Sequence, residues 1–179
     1  MVGNQYNGYM ELLLPAGSLQ SGIAALEHGA DAVYLGMESF SARQSARNFT
    51  FDELRRLKSF AAREGKKIYI ACNTVVRDAE IGELLRVLDQ VACIAADGVI
   101  VQDLGVLAIL TRYFPSLPVH ASTQMGIHSV EGAAAAETLG IQRVILSREL
   151  KLEEIEHIHR QCPGLELEVF IHGALCYGF

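Results

Sequence analysis

Several side chains in the last third of the chain could act together on a substrate. Arg148 and Glu149 close one apolar run, while Glu168 and His172 lie four residues apart on another, with Cys176 just beyond. In an extended strand residues 168, 170 and 172 share one face, so the carboxylate and the imidazole are expected to point the same way. A carboxylate inside a barrel is costly unless paired, and Arg148 is its nearest partner in sequence order, either as a structural ion pair or as part of a site. His172 ahead of Cys176 also fits a thiol activated by imidazole, although such dyads are assembled in space rather than by spacing. Upstream, His120-Ala121-Ser122-Thr123-Gln124 gathers four hydrogen-bonding side chains behind a run bounded by Pro118. Turn chemistry explains Ser122 and Thr123 but gives no role to His120 or Gln124.

The elements that must position these residues alternate. Strand-like runs fall at Met10–Leu14, Ala32–Leu35, Lys67–Asn73, Gly98–Gln102, Pro118–Ala121, Arg143–Leu146 and Glu166–Ile171. Most are continuously apolar, as in parallel strands covered on both faces. Helical patterns lie between them, near Ser18–His28, Asp52–Glu64, Glu80–Ala95, Leu104–Tyr113, Val130–Leu139 and Leu152–Gln161. Asp52 is expected to open the second helix, and Gly29, Gly65 and Gly140 to stop the helices before them.

Seven strands and six helices describe an α/β repeat. A doubly wound sheet with a dinucleotide site would carry a Gly-x-Gly-x-x-Gly turn after its first strand, where this chain has Pro15-Ala16-Gly17-Ser18. A TIM-barrel-like arrangement gathers its site from the carboxyl ends of many strands, and polar or conformationally special residues do collect there: Gly36, Asn73, Gln102, Gln124, Arg148 and His172. The repeat is incomplete. It ends at Tyr177-Gly178-Phe179 without a helix over the seventh strand, which predicts one domain over residues 1–179 that is truncated at its carboxy terminus. The eighth position is then empty or filled by self-association through an open edge.

Of 179 residues, 50% are hydrophobic and 20% charged, which excludes a disordered chain. The longest stretch without charge, Tyr113–Val130, contains two prolines, His120 and Gln124 and cannot serve as a membrane span. The first ten residues carry neither basic residues nor an apolar run, so a cytoplasmic location is expected. The net charge of −6 argues against binding nucleic acid by bulk electrostatics. Between Arg43 and Lys67, however, eight basic residues face three acidic ones. Within this island Arg43, Arg47, Arg55, Arg56 and Lys58 are candidates to meet an RNA backbone, against the alternative of a solvated helix face. The four cysteines form no Cys-x-x-Cys pair, and Cys72 and Cys93 are expected to be packed as small apolar residues.

The segments Glu11-Leu-Leu-Leu-Pro15-Ala-Gly17, Gly29-Ala-Asp31-Ala-Val-Tyr34-Leu-Gly36, His120-Ala-Ser122-Thr-Gln124, Arg143-Val-Ile-Leu-Ser147-Arg148-Glu149-Leu and Glu168-Val-Phe170-Ile-His172-Gly173-Ala-Leu-Cys176 resemble the collagenase-like peptidase family of unassigned catalytic type. The resemblance spans nearly the whole chain. It implies the amino-terminal TIM-barrel-like domain of a longer protein acting in oxygen-independent hydroxylation. The substrate would be ribosomal or transfer RNA, with prephenate as hydroxyl donor, or a ubiquinone precursor. It also implies a [4Fe–4S] cluster on four cysteines in the full-length protein. Cys176 matches one ligand position and the next falls beyond Phe179, so neither a cluster nor another metal is expected on this chain alone.

Within that resemblance His120, Gln124, Arg148, Glu149, Glu168 and His172 are the candidate catalytic residues. Gln124, Arg148, Glu149 and His172 suit a small anionic substrate. A collagenase-like protease remains the alternative, as does a binding module without chemistry. Neither a Ser-His-Asp order nor a His-Glu-x-x-His helix stands in the sequence to support proteolysis.

Overall fold

Seven short strands, all parallel, lie side by side in sequence order: β1 (Leu13–Pro15), β2 (Ala32–Gly36), β3 (Lys67–Cys72), β4 (Gly98–Val101), β5 (Val119–Ala121), β6 (Arg143–Ile145) and β7 (Glu166–Glu168). The computed structural model describes residues 10–37, 39–41 and 49–172, so Arg43, Arg47 and Cys176 lie outside the described residues. A doubly wound sheet would reverse its strand order at a switch point. None occurs here. Six helices join the strands: α1 (Leu19–Glu27), α2 (Phe51–Arg63), α3 (Ile81–Cys93), α4 (Leu104–Tyr113), α5 (Val130–Thr138) and α6 (Leu152–Gln161).

The sheet curls into a partial barrel. β1 and β6 stand five places apart in strand order, which in a flat sheet would separate them by about 24 Å at about 4.8 Å per strand. Instead the Arg143 guanidinium at the start of β6 donates to Glu11, just ahead of β1, at 2.7 Å, which two side chains could not span in a flat sheet. Ala32, Tyr69, Ile100 and Ile145 pack together on the concave face, joined by Leu13, Tyr34 and Phe170. The larger apolar layer lies between the convex face and the helices, where Leu54, Leu57 and Ala61 of α2 and Leu84, Leu88 and Val91 of α3 are buried at helical spacing. β1 and β7 are the edges of this sheet.

Thr50, rather than Asp52, opens α2. Its hydroxyl accepts from the Glu53 amide at 3.3 Å, while the Glu53 carboxylate accepts from the Thr50 amide at 3.1 Å. Two orphan donors of the first turn are thereby satisfied, which an aspartate two positions later could not achieve. The three glycines expected to stop helices all adopt positive φ, at 110°, 64° and 84° for Gly29, Gly65 and Gly140.

β7 ends at Glu168 instead of Ile171, because Ile145, its last partner on β6, stands opposite Glu168. His172 is therefore off the strand and exposed, and the shared face expected for Glu168 and His172 does not form. Cys72 is buried as expected, but Cys93 is exposed. It stands two residues beyond the buried Val91, roughly 200° round the helix and away from the core.

Candidate active site

The carboxyl ends of the parallel strands all open at one end of the barrel. Gly36 ends β2, Asn73 and Gln102 follow β3 and β4, and Gln124 and Arg148 lie three residues past β5 and β6. After β5 the chain makes a 3-10 turn, Thr123–Met125, capped by Ser122, whose hydroxyl accepts from the Gln124 amide at 3.3 Å. Gly126 closes this turn at φ 67°, a conformation disfavoured for residues with a Cβ. Gln124 is thereby brought towards β3, where Asn73 Nδ2 donates to its Oε1 at 3.0 Å. On the far side the Arg148 guanidinium stacks over the Phe170 ring at 4.0 Å, a cation–π contact that orients it. Asp103, also at this end, is occupied structurally: it caps α4 through Gly105 and Val106 and accepts from the Val76 amide.

A second polar cluster fills the opposite, amino-terminal half of the barrel. Its hub is Arg143, buried at the start of β6. Its guanidinium donates to Glu11 Oε1 at 2.7 Å and to Glu166 Oε2 at 2.8 Å, and Nη1 lies 3.5 Å from Glu168 Oε2. Glu11 also accepts from the Tyr69 hydroxyl at 2.8 Å and from Lys67 Nζ at 2.7 Å. Burial alone would raise the Glu11 pKa. The donors Arg143, Lys67 and Tyr69 outweigh it and hold the carboxyl below its usual range.

The expected Arg148–Glu168 pair is thus replaced by Arg143–Glu168. Arg143 starts β6 beside the amino end of β7, whereas Arg148 has passed the carboxyl end of β6 and meets Phe170. Sequence reasoning passed over Glu11, Lys67, Tyr69 and Arg143. A signal was present. Lys67 and Arg143 are charged residues at the first positions of otherwise apolar strands, Glu166 opens β7, and Glu11 lies just ahead of β1. Opposite charges at the amino ends of neighbouring barrel strands should meet inside.

His120 lies between the two clusters and is 3% exposed. Its ring packs edge-on against Tyr69 at 4.7 Å and its Nδ1 has no hydrogen-bond partner. Burial, reinforced by the Arg143 charge, lowers its pKa to about 3, so the imidazole is neutral. Gly98 makes room for it, since a Cβ there would stand 2.9 Å from the ring. Glu168 is the other unusual titrating group. Burial outweighs the Arg143 charge and raises its pKa to about 7, and its Oε2 has no hydrogen bond. It therefore exchanges a proton near neutrality.

Of the predicted site residues, Gln124 and Arg148 are gathered at the carboxyl end, His120 and Glu168 lie in the interior beneath it, and Glu149 and His172 are exposed. In the basic island Lys58 pairs with Asp97 at 2.5 Å, Lys66 with Asp31 at 3.3 Å and Lys67 with Glu11. Arg55 and Arg56 are exposed on α2, with Arg55 6.0 Å from the Phe51 ring. Cys72 and Cys162 are buried in the layer between sheet and helices, with thiol pKa values raised by burial, that of Cys72 to about 12. Among the described residues no three His, Cys, Asp or Glu side chains converge to hold a metal ion. The described cysteines therefore do not fit a [4Fe–4S] cluster.

Comparison with known proteins finds relatives named for RNA hydroxylation and relatives named for proteolysis. Among the latter, a collagenase of Porphyromonas gingivalis is 30% identical over 177 residues, covering 93% of this chain and 42% of that protein. The family model described as Peptidase family U32 matches residues 17–179. The tRNA hydroxylation protein P of Escherichia coli K12 is 38% identical over 169 residues, covering 94% of this chain and 37% of that protein. A 23S rRNA 5-hydroxycytidine synthase of the same organism is 39% identical over 170 residues, covering 95% of this chain and 25% of that protein. The chain thus spans well under half the length of these curated relatives. A solved U32 peptidase superposes with a TM-score of 0.71 at 17% identity, covering 94% of this chain and 72% of that structure, a likeness of fold. No described helix is long and apolar enough to cross a membrane.

Proposed function

This chain belongs to peptidase family U32, and we propose that it is the barrel domain of an RNA hydroxylation enzyme whose small-molecule site is the carboxyl-end mouth around Gln124 and Arg148. The observation that carries the reading is the placement, past the carboxyl ends of the neighbouring strands β5 and β6, of a carboxamide held by Asn73 and a guanidinium stacked on Phe170. The names of the Escherichia coli relatives support RNA as the substrate. A cytoplasmic location accords with that substrate.

Arg148 would hold an anionic group of the small substrate, its plane fixed by Phe170 so that little rotamer freedom is lost on binding. Prephenate, carrying two carboxylates, suits that chemistry as the proposed hydroxyl donor. Glu168 is the acid or base that the site offers near pH 7, because its proton is shared between two accessible states there. His120 is neutral and enclosed, and acts by packing rather than by charge. In this proposal any [4Fe–4S] cluster belongs to the longer protein, with Cys176 as this chain's ligand, and would supply redox chemistry. None of the roles assigned to the described residues passes through it.

Proteolysis finds less support. His120 makes no hydrogen bond to a hydroxyl, thiol or carboxylate among the described residues, so it is not poised to activate a nucleophile among them. The test is nucleoside mass spectrometry on RNA from cells lacking the full-length protein and from cells complemented with it. A hydroxylated nucleoside that disappears and returns supports the proposal. RNA unchanged by the deletion overturns it.

A further inference from the structure

Gln124 is held through its backbone amide and through its side-chain oxygen. Its backbone amide donates to the Ser122 hydroxyl at 3.3 Å, and its Oε1 accepts from Asn73 Nδ2 at 3.0 Å, with Ser122 Oγ a further 3.5 Å contact. A carboxamide has one oxygen that accepts and one nitrogen that donates. With Oε1 engaged by Asn73, rotation about the last side-chain bond is suppressed and Nε2 is left as a donor of fixed position. Nε2 donates to no partner among the described residues, and the residue is only half-buried. The link runs from the end of β3 to the end of β5, passing over β4. The two strands whose ends it joins thereby fix the donor more firmly than a loop glutamine could be fixed alone.

Arg148, on the end of β6, also presents donors only. Together the two residues form a mouth biased towards acceptor atoms. Resting on the reading of this mouth as the small-molecule site, we propose that Gln124 determines its specificity. Its Nε2–H group donates to a carboxylate or keto oxygen of the bound acid, and Asn73 positions that donor. The mouth thereby selects small carboxylates over alcohols and amines of the same size. A donor with no acceptor opposite it is left unsatisfied on binding, so a ligand carrying a hydroxymethyl or aminomethyl group in place of the carboxylate forfeits the hydrogen bond from Nε2.

Titration of the full-length protein with benzoate, benzyl alcohol and benzylamine, followed by ligand-observed NMR, tests the proposal. Benzoate is expected to bind more tightly than either analogue. Gln124→Glu keeps an oxygen for Asn73 to donate to but turns the free donor into an acceptor, and should weaken benzoate by about tenfold or more. Asn73→Asp removes the donor that holds Oε1, so the carboxamide turns to donate to the new carboxylate and a comparable loss follows. Thermal unfolding of each variant reports whether the fold is retained, and Gln124→Met gives a second, uncharged removal of the donor.

Benzoate affinity within twofold of wild type in Gln124→Glu and Gln124→Met, with loss in Arg148→Met, overturns the role of Gln124 and leaves the mouth as the anion site. No preference for benzoate over its analogues in the wild-type protein overturns both.

Discussion

Arg143 at the start of β6 donates to Glu11, just ahead of β1, at 2.7 Å, so the first and sixth strands are tied together across the barrel interior. Both side chains are largely buried, with exposures of 10% and 14%. The same carboxylate holds Tyr69 and Lys67 of β3, and the curl of an incomplete barrel is thereby fixed from inside.

Breaking this tie should be costly. Arg143→Met leaves Glu11 and Glu168 without their shared cation in the interior, and a loss of about 3–5 kcal/mol in unfolding free energy is expected from denaturant titration. A loss under about 1 kcal/mol would show that the cluster is solvated and contributes little to the curl.

The pH dependence of stability has two opposed parts. Glu168 is raised from 4.5 to about 7 in the folded protein, so the native state binds more protons between those values and stability falls as pH rises. His120 is lowered from 6.5 to about 3, so the unfolded state binds more protons there and stability rises with pH. Between pH 4.5 and 6.5 the slopes oppose and nearly cancel, while the lowered Glu11 and Glu80 act only below that window. Glu168→Gln should expose the His120 slope, up to about 1.4 kcal/mol per pH unit. Denaturant midpoints as flat in the variant as in the wild type would contradict these assignments.

Gly98 and His120 should behave as one unit. Gly98→Ala places a methyl group against the ring and is expected to cost about 1–3 kcal/mol by overpacking. In a His120→Ala background the same change should be much less costly, a coupling that a double-mutant cycle measures. Additive effects would mean that the ring moves aside freely.

The parallel repeat was legible because continuously apolar runs and glycine stops reflect local physics that the fold leaves intact. The strand-end positions of Gln124 and Arg148 were legible, Gln124 as a polar residue with no turn role and Arg148 as one closing an apolar run. The partner of Glu168 was not. Register between β6 and β7 and the curl of the sheet decide that Arg143 is the closer cation, and neither can be read along one strand. The protonation of His120 was equally hidden, since it follows from the enclosure made by Tyr69 and the absent Cβ of Gly98.

The basic island carries less free charge than its composition suggests, because Lys58, Lys66 and Lys67 are paired with Asp97, Asp31 and Glu11. If α2 meets RNA, Arg55→Gln and Arg56→Gln should weaken binding and lower the salt slope by roughly 0.7–0.9 for each phosphate no longer neutralised. Lys58→Met should leave both unchanged, as judged by filter binding across a salt series. Equal weakening by Lys58→Met, or none from the arginine variants, would remove α2 from the RNA-binding surface.

The most direct test of the mouth as the reacting end of the barrel is nucleoside mass spectrometry after complementation with variants of the full-length protein at matched levels. Arg148→Met is expected to abolish the nucleoside that is heavier by one oxygen, while Arg160→Met, which removes an exposed ion pair with Glu156 on α6, should retain it. Full hydroxylation by Arg148→Met would place the chemistry elsewhere and contradict the account.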